Sequence, residues 1–384
     1  MWLAAVAFTL AAGSLQTVAL AHDSGLSNGL FRTRDAGATW LPVNPGSFVS
    51  GALALAVHPV DPHHLLLATD SGLVRSRNGG RDWETEAPDL LRGPAYAVAF
   101  DVEGGRAMVS GAVALYRTEG DGWRATRTPT GSAPARALVS GGVPGRVYLA
   151  GWTGLYRTND WGRAWNRVGD EIKPDIITAL VVAPDRPDDV TALAGGRVWV
   201  STNGARRWRL QEDGLLAEKI EALTLDHSVS SRLWGVGAGR VFRRDDPAVQ
   251  WQPVGTPIPD PQAIARGIAV SDNVMVVLTD RGLFRSQDAG ARWQISSTEL
   301  PNHAEAGLLA RDVRAPATFY AGFGQTSTDK LKQLSSPMSR EIAGTDVAIL
   351  VGGYASVGLF LLGVCILARR VTRATLATTP DRDA

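Results

Sequence analysis

The chain of 384 residues carries one cysteine, Cys365. No internal disulfide can form, so packing alone must hold the fold even in an oxidising compartment. Charge of one sign is also missing. Lys and Arg number 39, Asp and Glu 38, and the formal net charge is +1. So balanced a chain has no electrostatic footprint for nucleic acid or another acidic polymer. Lysine is scarce: Lys173, Lys219, Lys330 and Lys332 are the whole set, and arginine supplies the rest of the positive charge. Long helical periodicity is absent from the body of the chain, which leaves strands as its building element.

Two segments lack charge altogether. Residues 1–21, MWLAAVAFTLAAGSLQTVALA, end in Ala19-Leu20-Ala21. That small-x-small ending reads as a signal peptide, although no Lys or Arg precedes the apolar run. An uncleaved N-terminal anchor is the other reading. Residues 347–368, VAILVGGYASVGLFLLGVCILA, are also uncharged. At 1.5 Å per residue they span roughly 33 Å as a helix, enough for a bilayer core. Arg369, Arg370 and Arg373 follow and put that end in the cytoplasm. The expected organisation is a signal peptide (1–21), a globular part (22–325), a stalk (326–345), a transmembrane helix (346–368) and a cytoplasmic tail (369–384). The globular part then faces the periplasm or the cell exterior.

What the chain does have is a repeat. RTRDAGATW, ending at Trp40, returns as RSRNGGRDW to Trp83, RTNDWGRAW to Trp165 and RSQDAGARW to Trp293. Worn copies end at Trp123, Trp208 and Trp251. The spacing stays in the low forties, which marks a repeat architecture. Each unit reads as four short strands divided by Gly, Pro and Asp, the pattern of an all-β propeller. Pairs such as Leu73-Val74 and Leu155-Tyr156 are apolar at consecutive positions, so both faces of those strands are covered. The first motif has no two strands before it, and two strands follow the last. The expectation is a seven-bladed ring whose N-terminal and C-terminal strands pair in one shared blade.

The pattern Ser/Thr-x-Asp-x-Gly-x-x-Trp fits a tight turn between third and fourth strands. In it, Asp35 accepts backbone N–H bonds, Gly37 takes a positive φ, Thr33 adds a side-chain bond and Trp40 covers the turn. The same places are held by Ser76, Asn78, Gly80 and Trp83; by Thr158, Asp160, Gly162 and Trp165; by Ser201, Asn203 and Trp208; and by Ser286, Asp288, Gly290 and Trp293. Asn can replace Asp as an acceptor but cannot transfer a proton, so these residues read as scaffold rather than as catalytic acids.

In these motifs residues 25–325 resemble the Asp-box, or BNR, repeats of sialidase-like propellers. That group includes sialidases, xyloglucanases, sortilin-type receptors and photosystem II assembly and stability factors. A single seven-blade ring is most similar to the last. The resemblance to sialidases implies an Arg-Ile-Pro signature in the first blade, which LFRTRDAGATWLPVNP lacks. No catalytic set is recognisable, and the charges at Asp170, Glu171, Glu212, Asp213, Glu218 and Glu221 read as solvated loops rather than a glycosidase carboxylate pair. No cofactor and no resident metal are expected. His58, His63 and His64, in HPVDPHH, read as a solvated turn. His22 would become the N-terminus after cleavage, where amine and imidazole together can chelate copper.

Recognition remains as the expected function. The resemblance implies a binding face opposite the motif turns, built by second-to-third and fourth-to-first strand connections. Its candidates are Phe48, Asp70, Arg92, Trp152, Asp213, Asp280, Arg281 and His303. Trp152 lies outside the repeated Trp position, either exposed as an interface anchor or covered by a loop. The repeated arginines, Arg32, Arg75, Arg117, Arg157, Arg243 and Arg285, read as ties between blades rather than as an anion ring. The expected role is a membrane-tethered, non-catalytic protein-binding scaffold. It would act as an assembly or stability factor for a membrane complex, with a glycan-binding or glycoside hydrolase propeller as the alternative.

Overall fold

The computed structural model describes residues 29–324 apart from 44–50, 173–176, 212–213, 216–218, 227, 230, 247–248, 297–299, 302–304 and 313. The expected signal peptide, stalk, membrane helix and tail lie outside the described residues. Among the described residues no helix is long and apolar enough to cross a membrane.

The described chain forms seven antiparallel sheets of four strands each. Blade 1 runs Ala52–Val57, Leu65–Thr69, Gly72–Ser76 and Glu84–Thr85, in that order from the inside out. Blades 2 to 6 repeat the order, starting at Ala95, Ala137, Ile177, Ala222 and Ala265. The seventh sheet has the order Leu41–Pro42, Gly29–Thr33, Phe319–Gly324, Glu305–Arg311. Gly29 stands opposite Phe323, and Thr33 opposite Phe319. Each innermost strand touches the innermost strand of the next blade, and Glu305–Arg311 touches Ala52–Val57. The architecture is therefore a seven-bladed all-β propeller.

Burial follows position in the blade. Every residue of the second strands Leu65–Thr69 and Leu233–Gly237 is buried, because a neighbouring blade covers each face. The outermost strands Glu84–Thr85 and Gln294–Ile295 are exposed throughout. Seven apolar clusters lie between blades, one at each junction. Each contains one motif tryptophan, which packs back onto the preceding blade. Trp83 of blade 1 joins Leu30 and Tyr320 of blade 7, and Trp251 of blade 5 joins Val198 and Val200 of blade 4. The forty-residue repeat thus places one large apolar wedge in every junction. A buried aromatic of this kind removes about 150–250 Å² from water.

Candidate interaction surfaces

The motif turns lie on one face of the ring. Their backbone bonds to the first hairpin of the same blade: Gly79 N–H donates to His63 O at 2.8 Å, Trp161 N–H to Gly145 O at 2.9 Å and Ala289 N–H to Asn273 O at 2.8 Å. The opposite face carries the second-to-third strand turns and the connections between blades.

Each well-formed motif closes on itself. Thr33 Oγ1 accepts from Gly37 N–H at 2.9 Å and donates to Asp35 Oδ1 at 2.6 Å, while that oxygen accepts from Thr39 N–H at 2.9 Å. Ser76 and Asn78 make the same bonds to Gly80 N–H at 2.8 Å and Asp82 N–H at 2.9 Å. Thr158 with Asp160, Ser201 with Asn203, and Ser286 with Asp288 repeat the pattern. Amide and carboxylate oxygens do identical work here. Burial pushes the Asp35 carboxyl up, but bonds from Thr33, Thr39 and Ala38 overrule it and hold the group at about 2. Asp160 is lowered in the same way, against burial, by the bonds from Ala164 and Thr158. Asp288 is lowered first by the N–H of Arg292.

One detail was not legible in the motif. Two consecutive residues take positive φ, the repeated glycine and the residue before it: Ala36 and Gly37 at 53° and 84°, Trp161 and Gly162 at 58° and 79°. Ala205 holds the glycine place at 65°, so a Cβ is tolerated there.

Four of the repeated arginines tie a motif turn to the blade before it. Arg117 Nη1 of blade 2 donates to Trp161 O of blade 3 at 2.9 Å, and Arg285 Nε of blade 6 donates to Ala36 O of blade 7 at 2.8 Å. Arg32 reaches Gly79 O and Arg157 reaches Gly204 O in the same manner. Arg75 differs because blade 2 has a shorter turn; it forms a two-bond pair with Glu86 at 2.6 and 2.8 Å. Arg243 differs too and pairs within its own blade with Asp245 at 3.2 Å.

The histidine-bearing turn is not simply solvated. His58 and His64 stack with ring centroids 4.9 Å apart, and both meet the edge of Phe100 from blade 2. His58 Nδ1 accepts from Val60 N–H at 3.2 Å and Asp61 N–H at 3.0 Å. Asp226 does the same in blade 5 for Ser228 and Val229 N–H, and Asp312 in blade 7 for Arg314 and Ala315 N–H. The imidazole of His58 therefore replaces a carboxylate as the acceptor that closes the first hairpin, a signal visible only when blades are aligned. His64 Nε2 accepts from Arg75 Nη1 at 2.7 Å. Burial, and next the Arg75 charge, pull the His64 imidazolium down to about 4. His63 is exposed. Among the described residues no group of three or more His, Cys, Asp or Glu side chains could hold a metal ion.

On the opposite face, Asp70 and Asp280 occupy one repeated turn, Thr-Asp-x-Gly. Thr69 Oγ1 donates to Gly72 O and Thr279 Oγ1 to Gly282 O, both at 2.8 Å. Asp280 Oδ1 then accepts from Ile264 N–H at 2.8 Å and fastens the connection between blades 5 and 6. Arg281 is held over the same connection, with Nη2 donating to Gln262 at 3.3 Å and Nη1 3.7 Å from Asp260. Arg92 is exposed on the connection between blades 1 and 2. Trp152 sits in the second turn of blade 3, half-buried, with the Arg136 guanidinium 5.0 Å above its ring. Its indole Nε1 is buried without a protein acceptor among the described residues. Phe48, Asp213 and His303 lie outside the described residues. Of the loop carboxylates, Glu221 accepts from Ala265 N–H at 2.7 Å and Asp170 pairs with Arg167 at 3.4 Å, so both serve local structure.

No protein-family model matches the chain, and no curated protein matches it by sequence. Solved structures match its fold. YCF48 from Cyanidioschyzon merolae is 14% identical with a TM-score of 0.54, over 71% of this chain and 95% of that one. YCF48 bound to a D1 peptide is 18% identical with a TM-score of 0.56, over 71% of this chain and 92% of that one. The GH74 enzyme of Niastella koreensis is 14% identical with a TM-score of 0.57, over 74% of this chain but only 53% of its own. At such identities the likeness shows the fold, and that fold is the seven-bladed propeller.

Proposed function

We propose that this chain is a non-catalytic, protein-binding propeller, held at the outer side of a membrane by its C-terminal apolar segment, and that it serves the assembly or stability of a membrane complex. One observation carries the reading. A single ring accounts for nearly all of each YCF48 chain but for about half of the GH74 enzyme. A propeller of this fold has been captured with a peptide, so the architecture is competent for protein recognition. Fold alone does not assign function, but the motif carboxylates support the same reading, since each is committed to its own turn. The recognition surface is the face opposite those turns, centred on Trp152 with Arg136, an aromatic and a cation of the kind that anchor interfaces. The uncharged segments 1–21 and 347–368 support an exported, single-pass topology. Tethering would raise the effective concentration of the ring toward membrane partners.

The test is a pull-down of the full-length tagged protein from its own gently solubilised membranes, read by mass spectrometry. A membrane complex in near-stoichiometric amount, weakened by Trp152→Ala, supports the reading. A clean preparation without partner contradicts it, and turnover of a glycan would favour the glycosidase alternative.

A further inference from the structure

The innermost strand of every blade carries the same irregularity near its start: one extra residue stands against the second strand. In blade 1 it is Leu53, between the pairs Ala52–Thr69 and Ala54–Ala68. Tyr96, Thr178 and Arg266 take the place in blades 2, 4 and 6, and blade 7 has the same break in register. In blade 3 both Arg136 and Ala137 meet Ala150, and in blade 5 both Glu221 and Ala222 meet Val236. These are β-bulges, which re-aim the extra side chain and gather at rims and beside functional sites. All lie on the face opposite the motif turns, where the innermost strands surround the axis of the ring.

The bulge side chains divide this mouth in two. Leu53 and Tyr96 are buried. From blade 3 to blade 6 the four are polar, and Thr178 and Arg266 among them are exposed. Three blades in a ring of seven separate Arg136 from Arg266, so the two guanidiniums stand on nearly opposite sides of the mouth. Arg136 lies over the Trp152 ring. The Arg266 side chain makes no hydrogen bond or ion pair among the described residues. The acids beside it are already engaged: Glu221 accepts from Ala265 N–H at 2.7 Å and Asp280 from Ile264 N–H at 2.8 Å. What this arc still offers is charged donors, which a carboxylate satisfies best.

The described chain also enters and leaves the ring here. Gly29 stands opposite Phe323, and Gly324 bridges to Gly51 at the start of the innermost strand of blade 1. Residues 325–346 lie between Gly324 and the uncharged run and span at most roughly 80 Å fully extended. A tether attached beside the mouth draws the mouth toward the bilayer and leaves the motif turns pointing away. We propose that the mouth is a docking site turned toward the bilayer, and that its occupant is an extended acidic segment of a membrane protein, a loop or terminus on the outer side, with carboxylates against Arg266 and Arg136. This rests on the membrane-tethered, protein-binding reading above. It adds where on the face the partner sits, which way that face points and what charge the partner carries.

The test is photo-crosslinking of the full-length protein in its native membranes from two exposed positions on this face. Thr178 lies in the mouth, and Asp89 lies on the connection between blades 1 and 2, away from the polar arc. The expected result is one dominant adduct from position 178, its crosslinked peptide an acidic segment next to a membrane span. Arg266→Glu should lower that yield about tenfold or more, because it sets like charges against each other. Arg266→Lys, which keeps the charge, should hold most of it. Arg266 is exposed, so an unchanged melting temperature checks that both variants fold. A soluble protein as the adduct, an undiminished yield in Arg266→Glu, or adducts from position 89 alone would overturn the proposal and leave protein binding by this face standing. No protein adduct from either position would overturn both.

Discussion

The scaffold reading of the motif can be tested on one hydroxyl. Ser76 is 1% exposed. Its Oγ accepts from Gly80 N–H at 2.8 Å and Asn78 N–H at 3.3 Å, and donates to Asn78 Oδ1 at 3.1 Å. Ser76→Ala removes that acceptor and strands the buried Gly80 N–H. An unsatisfied buried donor costs about 1–3 kcal/mol, and the longer bond adds less, so a total of about 2–3 kcal/mol is expected. In a domain of roughly 300 residues that lowers the melting temperature by about 3–5 °C. Ser76→Thr should leave stability within about 1 kcal/mol, because Thr33 and Thr158 fill the same place in blades 7 and 3 with the same bond. Asn78→Asp should also be near neutral, since Asp35 and Asp160 accept the equivalent N–H. Scanning calorimetry on the three variants decides the matter. A loss of under about 0.5 kcal/mol for Ser76→Ala, the range of an ordinary surface change, would refute the hydrogen-bond account. An equal loss for the two conservative variants would refute it as well.

Two further outcomes follow from the packing and the charges. Trp251→Ala should cost about 3–5 kcal/mol in a thermal melt, as a large aromatic leaves a cavity between blades 4 and 5. Because His64 is held neutral down to about 4, it binds a proton in the unfolded chain before it does in the folded one. Its contribution to stability is therefore full above an unfolded value of about 6.5 and is lost as pH falls toward 4. Discounted for its partial exposure, the loss is about 1–2 kcal/mol. His64→Gln should flatten that part of the pH–stability curve, measured against the parent protein.

Blade number and strand type were legible because the motif recurs and because second strands are apolar on both faces. The Trp ladder gave the junctions, since one wedge per repeat needs one neighbour per repeat. The site was harder to see. Asp70 and Asp280 look like free surface acids in the sequence, yet their Thr-Asp-x-Gly context is itself a repeated turn. His58 looks like a lone polar turn residue until it is aligned with Asp226 and Asp312. That the tie from Arg243 fails on the far side of its own blade depends on Asp245 being closer, and no periodicity reports such a distance. Arg136 over Trp152 joins the two ends of the first hairpin of blade 3, where Arg136 N–H donates to Ala150 O at 2.8 Å, a pairing register that the sequence does not spell out.

The central claim is that this ring recognises a protein with the face opposite its motif turns. The most direct measurement places a photo-crosslinking amino acid at Thr153, beside Trp152, and separately at Arg81 in an exposed motif turn. Both full-length proteins are irradiated in their native membranes and the adducts identified by mass spectrometry. The account predicts one dominant protein adduct from position 153 and none of it from position 81. Adducts confined to position 81, or the same set from both, would contradict it.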